Sequence, residues 1–266
     1  TSTRRLLPSE GAARDMVSTI ILGDGPMGRA LATQAAAAAE TPRLLGRPGP
    51  AGHRPEIFAG VELAYEFSRG PQVCANVAAA LHGGVRALVI GTTDWEADRQ
   101  RIEELLVAYG AAAVAAANFS LGVALLGRLV ESAARFLGPV EAYDPFIVEW
   151  HRRAKADRPS GTAKELARRL MAAHPRKRQL AAVDRAGPAA SDELEVSVVR
   201  AGAAPGMHLV GFDAPGETLE LRLTARDRSA YAAGALAAGT WLLARPRPAG
   251  LHPFEDVLDD LVAAVA

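Results

Sequence analysis

The densest run of chemically capable side chains lies between Glu149 and Thr162, reading Glu-Trp-His-Arg-Arg-Ala-Lys-Ala-Asp-Arg-Pro-Ser-Gly-Thr. His151 is the group there whose ordinary pKa lets it take and give a proton near neutrality. Lys155 follows four residues later and shares a face with it if the segment is locally helical. A cation so placed would steer an anionic substrate, stabilise developing negative charge and lower the pKa of His151. Arg152, Arg153 and Arg158 add positive charge. Ser160, Gly161 and Thr162 lead into a helix whose first N–H groups can receive a carboxylate. On residue chemistry alone, an ordinary basic loop with an N-cap accounts for the segment equally well.

A second constellation is Gly23-Asp24-Gly25-Pro26-Met27-Gly28. Its glycines suit a tight turn, a close approach of backbone to pyrophosphate, and helix–strand contact. Between a strand and a helix this pattern points to a dinucleotide, although a turn without a ligand can also carry it. The next strand ends in Gly46-Arg47 with no acid to bond an adenosine ribose. Arg47 could instead pair with a 2′-phosphate, which favours NADPH over NADH unless Arg47 is a solvated loop residue. Gly91, Thr92 and Thr93, and later Ala116, Ala117, Asn118 and Phe119, stand at strand exits, where open α/β sheets bind ligands.

Those positions require an alternation of strands and helices, and the chain supplies it. Val17–Leu22, Leu44–Leu45, Val61–Phe67, Val85–Ile90 and Ala111–Ala117 read as strands. Arg29–Glu40, stopped by Thr41-Pro42, then Val73–His82 and Glu96–Tyr109 read as helices. After Asn118 the rhythm changes. Helices are expected at Leu121–Phe136 and Thr162–Ala173, with a strand at Pro145–Glu149 and three consecutive strands at Glu193–Arg200, Met207–Phe212 and Thr218–Ala225. Helices return at Ser229–Ala244 and Pro253–Val265. The fold class is α/β: a Rossmann-like dinucleotide-binding domain from residues 16–117 and 229–266, and an α+β substrate-binding and oligomerisation domain with a mixed sheet from 118–228. Residues 1–15 read as a flexible extension.

Composition narrows the classes. Thirty Lys+Arg balance thirty Asp+Glu, so no global basic field for nucleic acid exists. No apolar run reads as a membrane span and no hydrophobic leader is evident, so the expected location is the cytoplasm. A single cysteine, Cys74, forbids an intramolecular disulfide and a cysteine-based zinc site, and reads as buried and inert. His53, His82, His174 and His252 have no partner at metal-ligand spacing, so no metal is expected. His208 reads as a core or interface residue, the three tryptophans as packing, and Arg176-Lys177-Arg178 as part of a solvated connector.

Taken in order, these motifs resemble the dihydrodipicolinate (4-hydroxy-tetrahydrodipicolinate) reductase family from about Val17 to Leu258. The likeness is carried by Met27-Gly28-Arg29, Gly91-Thr92-Thr93, Ala117-Asn118-Phe119-Ser120-Leu121-Gly122-Val123, and above all Glu149-x-His151-x-x-x-Lys155-x-Asp157-x-Pro159-Ser160-Gly161-Thr162-Ala163. Arg200-x-Gly202, Gly206-x-His208 and Ala225-x-x-Arg228 extend it. The resemblance implies a homotetramer that uses NAD(P)H to reduce a cyclic unsaturated dicarboxylate to tetrahydrodipicolinate in lysine and diaminopimelate biosynthesis. It implies that His151 is the catalytic acid/base, Lys155 its proton-donating partner, and Gly161 and Thr162 binders of the substrate carboxylate, with Ser160 beside them. It implies cofactor contacts at Gly23 to Gly28, Arg47, Gly91 to Thr93 and Ala116 to Phe119. Four departures stand out: Arg152 replaces a second histidine, Asp94 a glycine and Leu223 a common histidine, and the glycine loop is one residue short. Arg152 reads as a substrate-carboxylate ligand, an obstruction or a mark of a changed substrate. The departures leave open a weakened nucleotide-binding paralogue acting as sensor or assembly partner, and another Rossmann oxidoreductase of amino or keto acids.

Overall fold

A computed structural model describes residues 16–38, 40–46, 48, 52–182 and 187–264. The first half of the chain builds β1 (Val17–Leu22), α1 (Pro26–Ala37), β2 (Glu40–Leu45), β3 (Leu63–Glu66), α2 (Gly70–His82), β4 (Ala87–Ile90), α3 (Arg99–Ala108) and β5 (Ala112–Ala115). Then come α4 (Leu121–Leu137), β6 (Asp144–His151), α5 (Gly161–Ala173), β7 (Gln179–Leu180), β8 (Glu193–Arg200), β9 (Gly206–Ala214), β10 (Glu217–Ala225), α6 (Ser229–Ala244), β11 (Gly250–Pro253) and α7 (Phe254–Ala263).

The first sheet has the order β11-β5-β4-β3-β1-β2, with every pairing parallel. Its central strands are buried on both faces, which explains their unbroken apolar runs. Alternation along β1 sends Ile20 and Leu22 into a core with Val77 and Ile102, and Ile21 into another with Leu31, Val114 and Phe254. Helix α6 joins the second core through small residues, because its backbone runs very close to its neighbours. A Cβ on Gly234 would lie 1.6 Å from the Phe119 carbonyl oxygen.

The edge of this sheet departs from the sequence reading. Helix α1 ends at Ala37, and Glu40, Thr41 and Pro42 belong to β2 rather than to a helix and its stop. Because β2 is an edge strand, Pro42 can lack an N–H without breaking a ladder on both sides. Glu40 is drawn inward by the Tyr65 hydroxyl, which donates to its carboxylate at 2.9 Å. Residues 96–98 form a short 3₁₀ turn before α3 instead of its first turn.

The second sheet, β10-β9-β6-β8-β7, is mixed: β6 runs parallel to β8 and antiparallel to β9. Helices α4 and α5 cover one face through Val130, Leu166 and Leu170 against Ile147, Val210 and Phe212. Strand β6 runs two residues beyond the expected end, so His151 is its last residue and shares the helix-facing side with Ile147 and Glu149. Among the described residues no helix is long and apolar enough to cross a membrane.

The basic connector after α5 is not merely solvated. Arg176 donates to the carbonyls of Gly138 and Tyr143 at 3.3 and 2.8 Å, satisfying acceptors beyond the end of α4. Lys177 is buried, with Nζ 2.6 Å from Asp144 and 2.7 Å from the Glu193 carbonyl. His174 organises both, since its Nδ1 accepts the backbone N–H groups of Arg176 and Lys177 at 3.2 Å. Burial and the neighbouring Arg176 and Lys177 charges hold its pKa down to about 4. Unfolded His174 therefore takes a proton that the folded chain refuses, and stability must fall as pH drops from about 6.5 toward 4. Urea denaturation across that window should show this slope, and His174→Asn should flatten it.

Candidate active site

The glycine loop is built as a cradle. Gly23 leaves β1 at φ +107°, and a Cβ there would lie 2.3 Å from the Phe67 carbonyl oxygen. A Cβ on Gly28 would lie 1.8 Å from the Gly23 oxygen, so both positions demand glycine for backbone packing. Gly25 is the N-cap of α1, no side chain caps the helix, and nothing lies within 4 Å of where its Cβ would stand. Pro26 opens the helix, and free N–H groups of the first turn face an open approach. This geometry fits a dinucleotide pyrophosphate. Asp24 turns its carboxylate toward Gly46. Arg47 lies outside the described residues.

Across the cleft, Gly91 is needed because the Phe67 ring occupies the space of a Cβ, at 2.2 Å. Thr92 is buried, its Oγ1 donating to Glu66 at 3.2–3.3 Å, and its carbonyl accepts the Trp95 indole N–H at 2.7 Å. Asp94 sits in the left-handed region at φ +64°, which suits glycine best and which Asp tolerates better than most other residues. Thr93 Oγ1 lies 3.2 Å from the Asp94 carboxylate. A cavity of about 430 Å³ opens between Met27, Phe67, Arg69, Gly91 and Thr93. Sequence reasoning passed over Glu66, the buried carboxylate that ties these walls together. It accepts from the Ser68 N–H at 2.9 Å and the Asn76 amide at 2.8 Å as well as from Thr92. Burial pushes its carboxyl up against those hydrogen bonds.

The strand exit at Ala116–Phe119 joins the two sheets. The Ala116 N–H donates to Ile90, Phe119 packs between Phe67 and Phe254, and Asn118 reaches Thr162 at 3.4 Å from the first turn of α5. Ala117 and Asn118 thereby bring the first sheet to the basic segment.

That segment converges on Glu149, which is fully buried. Burial alone would raise its pKa, but hydrogen bonds from His208, Ser160 and Arg200 outweigh burial and hold it well below the usual carboxylate range. The Ser160 N–H donates to both carboxylate oxygens at 3.0 and 3.2 Å, and Arg200 donates at 2.6 Å. His151 Nε2 and His208 Nε2 lie 3.4 and 3.7 Å from Oε2. The two imidazoles meet edge to face at 5.1 Å, and His208 also contacts Ser160 Oγ at 3.2 Å. His151 Nδ1 donates to the Pro205 carbonyl at 3.2 Å, and its ring fits because Gly206 has no Cβ to fill the space. Burial first, then His208, lower its pKa against the opposing pull of Glu149.

The stretch from Arg152 to Ser160 is a turn and extended chain, not a helix. Lys155 therefore does not stack on His151 through helical spacing. It pairs with Asp157 at 2.8 Å and still lowers the His151 pKa through its charge. Ser160 caps α5 by accepting the Ala163 N–H at 3.2 Å, leaving the N–H groups of Gly161 and Thr162 without intrahelical acceptors. Arg152 is exposed and lines a separate cavity of about 580 Å³, whose lining also includes Met27 of the glycine loop. His208 is thus a member of the site rather than plain core. Its Gly206-x-His208 motif was the available signal.

The family model described as dihydrodipicolinate reductase, C-terminus, matches residues 122–258. The 4-hydroxy-tetrahydrodipicolinate reductase of Caulobacter vibrioides is 36% identical over 247 residues, 88% of this chain and 94% of that protein. The chain belongs to the dihydrodipicolinate reductase family. The reductase of Sulfurimonas denitrificans is also 36% identical, over 74% of this chain and 76% of its own. A dipicolinate-bound dihydrodipicolinate reductase from Paenisporosarcina sp. TG-14 shares the fold at a TM-score of 0.71 and 19% identity, covering 90% of this chain and 97% of that one. Against the reductase family's pattern, Leu223 pairs with His208 across β10 and β9, and its methyl group would lie 3.1 Å from a Cβ on Gly122. Leu223 thus makes an apolar contact to the start of α4.

The Glu149–Arg200 pair yields a stability prediction. Glu149→Leu strands a buried guanidinium and should cost about 3–5 kcal/mol. Arg200→Leu in the same chain should recover part of that loss, read from denaturant midpoints of the single and double variants.

Proposed function

We propose that this protein reduces 4-hydroxy-tetrahydrodipicolinate to tetrahydrodipicolinate with a reduced nicotinamide dinucleotide. Residues 16–117 and 229–266 bind the dinucleotide and residues 118–228 the substrate. The observation that carries this reading is Met27, which lines both the cavity at Gly91 and Thr93 and the cavity at Arg152. The glycine loop and the basic segment therefore serve one reaction centre. When bound, the nicotinamide supplies hydride.

The chain's own residues handle charge and protons. The free N–H groups of Gly161 and Thr162 hold a substrate carboxylate, with Ser160 fixing the helix end. Arg152 adds a planar, permanently charged ligand in place of a histidine. His151 carries one proton on Nδ1, bonded to Pro205. A second proton on Nε2 would face Glu149. Burial, His208 and Lys155 disfavour the doubly protonated ring, which makes His151 as imidazolium a ready acid for protonating the reduced ring. Lys155, paired with Asp157, supplies positive charge beside the same centre and can return the proton. Arg47 binds a 2′-phosphate, which makes NADPH the preferred donor over NADH. The outer face of the second sheet exposes Trp150 and Val199, which supports association of copies into a homotetramer, and the protein works in the cytoplasm.

The test generates the substrate in place from pyruvate and aspartate semialdehyde with its synthase and follows NADPH and NADH oxidation. Turnover above background is expected, and cofactor binding without turnover would sink the reading. His151→Ala should lower kcat by about 10²–10⁴-fold while dinucleotide affinity holds. Arg47→Ala should erase the preference for NADPH; an unchanged ratio of the two kcat/KM values would discard the phosphate role.

A further inference from the structure

Strand register puts three metal-ligating side chains in one place. Glu149 and His151 are two residues apart on β6 and so share a face, and His208 is the cross-strand partner of Glu149 on β9. All three are buried, and one carboxylate oxygen and one nitrogen from each ring lie within 4.8 Å of one another. Two imidazoles and a carboxylate, with a fourth position open, are a common ligand set for zinc.

The groups are already oriented for a cation. His151 Nδ1 gives its proton to the Pro205 carbonyl, which leaves Nε2 with a lone pair. That nitrogen is buried and engages no hydrogen bond among the described residues. It faces Glu149 Oε2 across 3.4 Å, so two acceptors point at one gap. An electropositive centre in the gap, a proton or a metal ion, relieves their repulsion. A backbone carbonyl on the far ring nitrogen is also the partner that metal-bound histidines ordinarily have. Arg200 opposes a cation, but its guanidinium sits at Oε1, 2.6 Å away. The Ser160 N–H is also nearer to Oε1, at 3.0 Å against 3.2 Å, which leaves Oε2 turned toward the rings. Ser160 Oγ, 3.2 Å from His208 Nε2, stands beside the open side of the set.

We propose that Glu149, His151 and His208 form an inhibitory site for a divalent transition metal of the zinc class. The ion takes the Nε2 lone pair of His151 and so removes the position through which protons move. The binding site stands on geometry alone; the inhibition rests on the acid/base role given to His151 above. Mg²⁺ is excluded, because it prefers oxygen ligands and keeps its own water.

The experiment titrates the protein, without dinucleotide, with ZnCl₂ and separately with MgCl₂ by calorimetry, and records the visible spectrum with CoCl₂. One Zn²⁺ per chain and no Mg²⁺ heat are expected, with the intense bands of four-coordinate Co²⁺. His208→Gln should weaken Zn²⁺ about 100-fold or more, beyond the loss caused by removing an outer-shell partner. His252→Asn removes a separate histidine–carboxylate pair, His252 with Asp256 at 3.5 Å, and should leave the affinity within about twofold. No Zn²⁺ binding by the wild type, or a loss in His252→Asn with none in His208→Gln, would overturn the site. So would a six-coordinate Co²⁺ spectrum in the wild type, whether or not His208→Gln folds. In turnover, with a synthase shown to be insensitive to the metal, Zn²⁺ should inhibit at concentrations that track its Kd, and EDTA should restore the rate. Undiminished turnover of the Zn²⁺-loaded protein would overturn the inhibitory role. A protein that binds Zn²⁺ through His208 yet turns over no substrate after EDTA treatment would refute the reductase reading and leave the metal site standing.

Discussion

The buried carboxylate of Glu149 is the constraint on which the site depends. A charge with no exposure to water survives only if hydrogen-bond donors and counter-charge surround it. Arg200 comes from β8, His208 from β9, and the Ser160 N–H from the head of α5. Satisfying one carboxylate therefore fixes three neighbouring strands and a helix end relative to one another. His151 sits inside that frame, with one ring nitrogen toward Glu149 and the other held by Pro205. The same frame that supplies a negative neighbour removes water, and the two effects pull the imidazole in opposite directions.

The first sheet meets this frame through close backbone packing and through ion pairs of Arg128 and Arg169 with Asp259 and Glu255 of α7. Gly234 lets α6 touch the Phe119 carbonyl, and Phe119 in turn bridges Phe67 and Phe254. Phe67 fills the space left by Gly91, and its carbonyl lies against Gly23. The glycine loop, the Gly91–Thr93 exit and the Ala116–Phe119 exit are thereby packed around one aromatic cluster. Glu66 stiffens the same region with hydrogen bonds to Ser68, Asn76 and Thr92. Asn118 carries the connection onward to Thr162 and so to the head of α5.

Much of this was legible in the residues. The alternation of strands and helices, the mixed second sheet, the turn at Gly23–Gly28 and the cap at Ser160 follow from local rules. Two misreadings show where those rules stop. Pro42 looked like a helix stop, yet it lies in β2, because an edge strand tolerates a missing N–H and only the sheet order reveals which strand is an edge. The Arg176-Lys177 run looked solvated, yet carbonyls beyond α4 and the Asp144 carboxylate consume its donors. Composition cannot show that carbonyls some thirty residues away in sequence will need partners.

The sequence by itself determined what depends on backbone conformation and near neighbours. It marked the glycines that no other residue can replace, the helix start at Ser160, and the identity of His151 and Lys155 as groups able to move protons. Only the tertiary structure decided how those groups are used. Glu149, Arg200 and His208 are separated by tens of residues and meet because three strands pair in register. Lys155 pairs with Asp157 because its segment is a turn and not a helix. Charge and hydrogen bonding act through space over a few ångströms, so their partners are set by packing, which no local pattern records.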